Sequence, residues 1–550
     1  MWTRSWPSYA NCNVAVTDPT EAETPFPSIQ RWAAGGKHEH CVDNLLIIFG
    51  FRLTSSGCEG YTVGGCRPIT TSDLGRSATV DPFANLSPLD HRYAVEDPAQ
   101  FARLSQYLSE AAYLRYQLAV EVALVKGLVK MGIAPAAAAE DIERAAQLVT
   151  PAEVAAEEEK THHNIRALVN CLQRRVSESH RPFIHWSATS MDILDTARAL
   201  QYRDATRELI APALGELEQC WIEQTRRYAH TPQIGRTHGQ HAVPVTFGFA
   251  LAWYVQRLGD RMETILSAAR RLRGKMAGAV GAYNAASLRV SDPQQLEAVV
   301  LGELGIKPAL ISTQIVPPEA VLDWAHGLVS TFGVLANFAD DMRHLQRTEI
   351  GEVGEAFTAE QVGSSTMPHK RNPWNFEHVK SLWKEFLPRI LTVYMDQISE
   401  HQRDLTNSAS GRFLPEVAAG LVQAADRLTR FSRRLVVDET RMRANLERSA
   451  NLFVAEPLYI LLAAAGHPSA HEAVRRLTLS PQAGKESLAE LALADEELAP
   501  YLQRLSATER ELLHQPEQYR GLAVQKAQDI AAHWAGQLQQ WQSTGWGLSA

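Results

Sequence analysis

The chain is predicted to be mainly α-helical, organised round a bundle of long helices. Three observations carry that prediction. Apolar residues advance by alternating steps of 4 and 3 over three long stretches: Leu251, Val255, Leu258, Met262, Ile265, Ala269, Leu272; then Val321, Ala325, Leu328, Phe332, Leu335, Ala339, Met342; then Val417, Leu421, Ala424, Leu428, Phe431, Leu435. Steps averaging about 3.5 residues make seams that pack on other helices at shallow angles. No region with a period of two stands out beyond the first 80 residues, and 550 residues exceed one ordinary core. Helices of about 25 residues run to about 38 Å, and one chain has more such stripe than it can cover. An oligomeric bundle is therefore expected.

Composition narrows the function. A net charge of −8 and a pI near 6.2 leave no basic excess for nucleic acid. No run of about 18 apolar residues suggests a membrane span, and no secretory signal is evident. Six cysteines are too few for a disulfide scaffold; Cys171 and Cys220 read as buried free thiols of a reducing cytosol. Residues 1–80 are expected to be a poorly ordered extension. Its His38, His40, Cys41, Cys58 and Cys66 lack the paired spacing of a zinc site. After Met1 the next methionine is Met131, so translation is expected to start near residue 80, at Val80 through a non-methionine codon.

Past this extension, Leu86–Tyr93 is a Pro-containing turn. Phe101–Met131 is helical, with Leu104, Leu108, Ala111, Leu114 and Leu118 on one stripe. Pro135 and Pro151 bound the helices of an Ala/Glu-rich stretch, 136–159. Thr189 and Ser190 open a further helix, where free N–H groups suit an anion or simply an N-cap. His238 sits among glycines on a tight loop, and an imidazole titrating near neutrality suits proton donation. Gly278–Asn284 is a small-residue joint, and Glu349, Glu352 and Glu355 are expected to form a solvated acidic face. Gly363–Pro373 (GSSTMPHKRNP) is a polar loop between helical runs; Ser364 and Ser365 offer hydroxyls, and Lys370 and Asn372 a cation and an amide. Pro388 should kink the helix that follows. From Asp438 shorter helices are expected, ending in a loosely held Trp- and Gln-rich tail.

The loop GSSTMPHKRNP resembles the signature of the fumarase/aspartase superfamily, lyases that eliminate fumarate or a close relative. Other segments, in family order, resemble its adenylosuccinate lyases: SPLDHRY (87–93, with His91 for the usual Gly), THHNI (161–165), IHWSATSMDI (184–193, with Ser187 for Gly), GRTHGQ (235–240) and the pattern Arg403-x4-Ser408-x3-Arg412. The resemblance covers residues 86 to about 540. It implies a three-domain fold (81–185, 186–437 and 438–550), a cytoplasmic homotetramer with sites shared between subunits, a succinylated purine nucleotide as substrate, and no cofactor or metal. It also implies roles: Ser364 as base, His238 as acid, Glu377 orienting His238, and His163 beside the reacting centre. Arg92, Tyr93, Arg403, Ser408 and Arg412 would hold phosphate and substrate, as would His185, Thr189, Ser190 and Gln240, while Lys370 and Asn372 would hold a carboxylate. The rivals are a 3-carboxy-cis,cis-muconate cycloisomerase, which has no nucleotide to hold, and a catalytically silent structural homologue.

Overall fold

The computed structural model describes residues 85–358, 363–480 and 486–548. The expected N-terminal extension, its cysteines and histidines, and the expected start near Val80 lie outside the described residues. The unit spanning residues 82–550 is predominantly helical, as the seams predict.

The first helical stretch is two helices, not one. Helix α1 (Pro98–Leu108) stops at Ser109, whose hydroxyl caps α2 (Glu110–Lys130) by accepting from Ala112 N at 3.1 Å. The break shifts the helical phase, so Ala112 is buried and Ala111, expected on the stripe, is exposed. Helix α3 (Ser190–Ala205) runs through a π turn, Thr206–Ile210, into α4 (Ala211–Arg227). The wide turn falls just before Pro212, which has no N–H to donate back to the preceding turn.

A hairpin follows. Strand β1 (Pro232–Thr237) pairs antiparallel with β2 (Gln240–Thr246), with a register shift between Ile234 and Arg236. The two-residue tip, His238 (φ 54°) and Gly239 (φ 76°), is left-handed throughout, which matches the twist of the strands it joins. Neither strand alternates cleanly enough in sequence to have been expected.

Helices α5 (Phe247–Arg270), α6 (Glu319–Leu345), α7 (Trp374–Phe386), α8 (Arg389–Met395) and α9 (Ser410–Ser432) follow, with Leu387 and Pro388 separating α7 from α8. Every expected seam residue of α5 is buried, and those of α6 from Ala325 to Met342. Fully burying each large seam side chain contributes about 1.5–3 kcal/mol, so these seams dominate the bundle's stability. Short strands β3 (Val353–Gly354) and β4 (Val436–Val437) pair across the bundle end.

Residues 454–513 carry their own small apolar cluster, including Leu458, Leu462, Val474 and Leu498. The tail is not loose. Residues Ala523–Ser543 form α10, which buries Ala527, Ala531, Trp534, Leu538 and Trp541 against the bundle. Gly259 and Gly215 admit the tail's indoles: a Cβ would stand 2.3 Å from Trp534 at Gly259 and 2.7 Å from Trp546 at Gly215. The sequence hides this face because alanines and tryptophans between glutamines form a weak stripe. Cys171 and Cys220 are buried and free. Among the described residues no helix is long and apolar enough to cross a membrane.

Candidate active site

The expected site residues fall in four groups. The first is a cradle built on buried charge. Thr189 and Ser190 open α3, and the Asp192 carboxylate accepts from Thr189 N at 2.7 Å, Ala277 N at 3.0 Å and Gly278 N at 3.1 Å. Lys275, fully buried like Asp192, donates to that carboxylate and to Gly278 O. A buried ion pair persists when further hydrogen bonds support its charges, and here the Asp192 carboxylate accepts from four donors while Lys275 Nζ makes two bonds. The pair therefore bolts the Thr189–Ser190 turn to the small-residue joint beginning at Gly278.

Two histidines stand on the cradle. His163 caps the helix Asn164–Gln173, its Nδ1 accepting from Arg166 N at 3.1 Å. That bond leaves the proton of a neutral ring on Nε2, which faces Ser190 Oγ at 3.4 Å. His185 Nδ1 lies 2.7 Å from Glu121, a fully buried acid that also accepts from His185 N. Burial lowers the His185 pKa, but the bond to Glu121 and its charge outweigh that and leave the imidazole above its ordinary value. Ser187, standing where the resembled family has Gly, is left-handed at φ 60°, a conformation that costs Gly nothing. His91, the other such replacement, has φ −127° and needs no Gly.

Beside the cradle lies the second group. Asp195 accepts from Val316 N at 2.9 Å, and burial pushes its carboxyl up to about 6 against the pull of Lys275 and Arg403. Gln314 N bonds Gln402 O at 3.4 Å, bringing the Arg403 segment alongside. Within that segment Arg403 bonds Asn407, and Ser408 is exposed. Arg412 lines a cavity of about 300 Å³ with Ser87, Asp90 and Arg198.

The third group joins the end of the segment Leu86–Tyr93 to α7. Arg92 is exposed, and the Tyr93 hydroxyl lies 3.0 Å from His378 Nε2. Glu377 lies 4.0 Å from Arg343, and within a single chain no hydrogen bond among the described residues joins it to His238. In the signature loop Ser364 Oγ accepts from Met367 N at 3.1 Å and Thr366 N at 3.4 Å. Such donors stay on the oxygen when its proton leaves, and so favour the alkoxide. Asn372 spends one of its N–H donors on Gly363 O at 2.9 Å, closing the loop's neck, while Lys370 is exposed.

The fourth group is the hairpin tip, where His238 and Gln240 are both exposed. The strands beneath them wall a cavity of about 1040 Å³ with α5 and α6. No bond among the described residues of one chain links His238 to Ser364.

The acidic run before the loop is not a solvated face. Glu352 is fully buried and Glu355 4% exposed; only Glu349 is in water. Glu352 takes Arg236, Gln233 and Asn445, and Glu355 takes the first turn of α7. Three acids at three-residue spacing look like a wet helix face, but their partners come from distant segments. Glu121 and Lys275 were missed for the same reason; a lone Lys among Gly and Ala (residues 274–282) was the available hint.

A mainly α scaffold with long central helices and polar loops near their ends is the architecture of lyases of the fumarase/aspartase superfamily, and residues 91–384 match the family described as Lyase. Among solved structures the fold is similar to 3-carboxy-cis,cis-muconate lactonizing enzyme from Pseudomonas putida (TM-score 0.68, 26% identity, 80% of this chain and 98% of that one). It is equally similar to fumarate lyase from Mesorhizobium sp. BNC1 (0.68, 26%, 78% and 97%). Residues 399–510 match the family described as Adenylosuccinate lyase C-terminal. The sequence is 36% identical over 443 residues to adenylosuccinate lyase of Pyrococcus horikoshii, covering 79% of this chain and 95% of that one. It is 32% identical over 459 residues to the enzyme of that name from Archaeoglobus fulgidus (82% and 99%). The chain belongs to the adenylosuccinate lyase family.

Proposed function

We propose that the protein eliminates fumarate from adenylosuccinate, giving AMP, and from the succinyl-aminoimidazole-carboxamide ribotide of purine biosynthesis. The observation that carries this reading is the 36% identity along 95% of a relative named adenylosuccinate lyase. The solved cycloisomerase-type enzyme is similar at 26%.

In this reading Ser364, as alkoxide, removes a proton from the succinyl carbon next to a carboxylate. Lys370 and Asn372 hold that carboxylate while negative charge develops on it. The electron pair of the broken C–N bond stays on the purine nitrogen, and His238 gives that nitrogen its proton. Glu377 orients His238. His163 and His185, with Thr189, Ser190 and Gln240, position the substrate. Arg92, Tyr93, Arg403, Ser408 and Arg412 hold the phosphate, a task suited to guanidinium forks.

The sites form between subunits of a cytoplasmic homotetramer, with domains at 81–185, 186–437 and 438–550. Phe249 and Trp253 on α5 and Leu391 and Met395 on α8 are exposed apolar side chains, which supports burial against another copy. His238 and Ser364, unlinked within one chain, would then meet across that contact.

The test is to incubate the protein with adenylosuccinate and follow the purine absorbance. Silence there with turnover of 3-carboxy-cis,cis-muconate favours the cycloisomerase, and silence with both favours a structural homologue.

A further inference from the structure

One short piece of backbone carries supports for both the hairpin and the signature loop. Glu352 and Glu355 flank β3, which is pinned to β4; Glu352 N donates to Leu345 O, and Glu352 O accepts from Asp438 N at 3.0 Å. On one side, the Glu352 carboxylate accepts from Gln233 Nε2 at 2.8 Å, Arg236 Nη1 at 3.1 Å and Asn445 Nδ2 at 2.9 Å, and from Arg236 Nη2 as well. Arg236 lies on β1, two residues before His238 at the hairpin tip. On the other side, Glu355 accepts from Asn375 N at 2.9 Å, Phe376 N at 3.0 Å and Asn375 Nδ2 at 2.7 Å. Two of these donors are free backbone N–H groups of the first turn of α7, which follows the loop directly, the third is the Asn375 side-chain amide, and a carboxylate there also suits the helix dipole. Gln346 completes the clamp, accepting from Glu355 N and donating to Arg371 O, both at 3.1 Å.

We infer that Glu352 and Glu355 are positioning residues for the elimination: Glu352 sets the height of the strand that presents His238, and Glu355 sets the downstream end of the loop that presents Ser364. Neither touches substrate. The inference rests on His238 and Ser364 being the acid and base. A merely structural role would need only that the acids be buried and bonded. Here each bonds the base of a reacting loop, where a displacement of about 1 Å can cost 10²-fold in rate.

The experiment compares Glu355→Gln, Glu352→Gln and the exposed control Glu349→Gln with the unmodified chain, using adenylosuccinate, each well below its own melting midpoint. Glu355→Gln offers one acceptor where two are used. We expect kcat to fall by about 10- to 100-fold with KM within about threefold. Glu352→Gln keeps one acceptor oxygen where the carboxylate takes four bonds, so we expect a similar fall in kcat of about 10- to 100-fold with KM within about threefold, and for Glu349→Gln no change. Wild-type kcat in both buried variants would overturn the inference, whatever their melting midpoints. Should Glu355→Gln not fold, Asn375→Ala removes one of the three donors and must lower kcat several-fold at unchanged KM; an unchanged kcat also overturns it. An unmodified chain inactive on adenylosuccinate but active on carboxymuconate refutes the substrate reading alone, and the same variants then decide on carboxymuconate. Inactivity with both refutes the two together.

Discussion

The cradle at Thr189–Ser190 and the hairpin tip at His238 are both polar turns, yet they are supported in opposite ways. The cradle stands directly on buried charge: Asp192 takes three backbone N–H groups and a fully buried Lys275, and Glu121 takes both the ring and the backbone of His185. The tip stands in solvent, and its buried support, Glu352 with Arg236, lies two residues down the strand. Where positioning depends on buried ions, stability and activity cannot be separated. At an exposed tip they can.

The largest expected effect sharpens that contrast. His238→Ala and Ser364→Ala should each lower turnover by about 10²–10⁴-fold while the fold keeps its melting midpoint and substrate still binds. Rapid-quench turnover beside calorimetry checks this; near-normal turnover would remove the role from that residue. Lys275→Met should behave the other way. It strands Asp192 as a buried, unpaired carboxylate and should destabilise the chain by about 3–5 kcal/mol in urea unfolding. Pairing it with Asp192→Asn should recover part of that loss.

A smaller effect comes from pH. Burial holds the Asp195 carboxyl at about 6 in the folded chain, against an ordinary value of 3.8. Between those values the folded chain keeps a proton that the unfolded chain has released, so this contribution is full below pH 3.8 and is lost as pH rises through about 6. At its limit the difference is about 3 kcal/mol. Asp195→Asn keeps the acceptor for Val316 N and should flatten this part of the stability curve, read as urea midpoints at pH 4 and 7. An unaltered slope would place the titration elsewhere.

The smallest effect lies away from both turns. Glu218 on α4 is fully buried, with no hydrogen-bond partner for either oxygen among the described residues, and burial holds its carboxyl well above the usual range. It is the counterexample to Asp192: a buried acid with nothing to hold. Glu218→Met should stabilise the fold by about 1–2 kcal/mol and leave kcat unchanged. A lower melting midpoint would reveal a partner for that carboxyl in the assembled protein.

Much of the scaffold could be read from the residues themselves. The seams of α5, α6 and α9 are local patterns, and so is the signature loop, whose glycine, hydroxyls and prolines exclude helix. The hidden parts depend on partners far along the chain. Ser109 looks like one more polar helix position until its hydroxyl is seen capping α2. Glu352 and Glu355 have the spacing of a wet face, and only Arg236, Asn445 and the α7 N-terminus make them interior. The α10 stripe is legible once Gly215 and Gly259 are known to face it. In the site, motif order was enough to propose the histidines and serines, but not to show what bonds them to the scaffold.

The docking of α10 bears on how the chain assembles during synthesis. Trp534 of α10 and Trp546 just beyond it seat against glycines on α5 and α4, so two helices made earlier wait for a segment far downstream to leave the ribosome before their outer grooves are filled. Until then those grooves are open apolar surface, available to chaperones or to the wrong neighbour. A stop codon or a bulky fusion just before Ala523 should therefore be felt first as aggregation of the nascent protein.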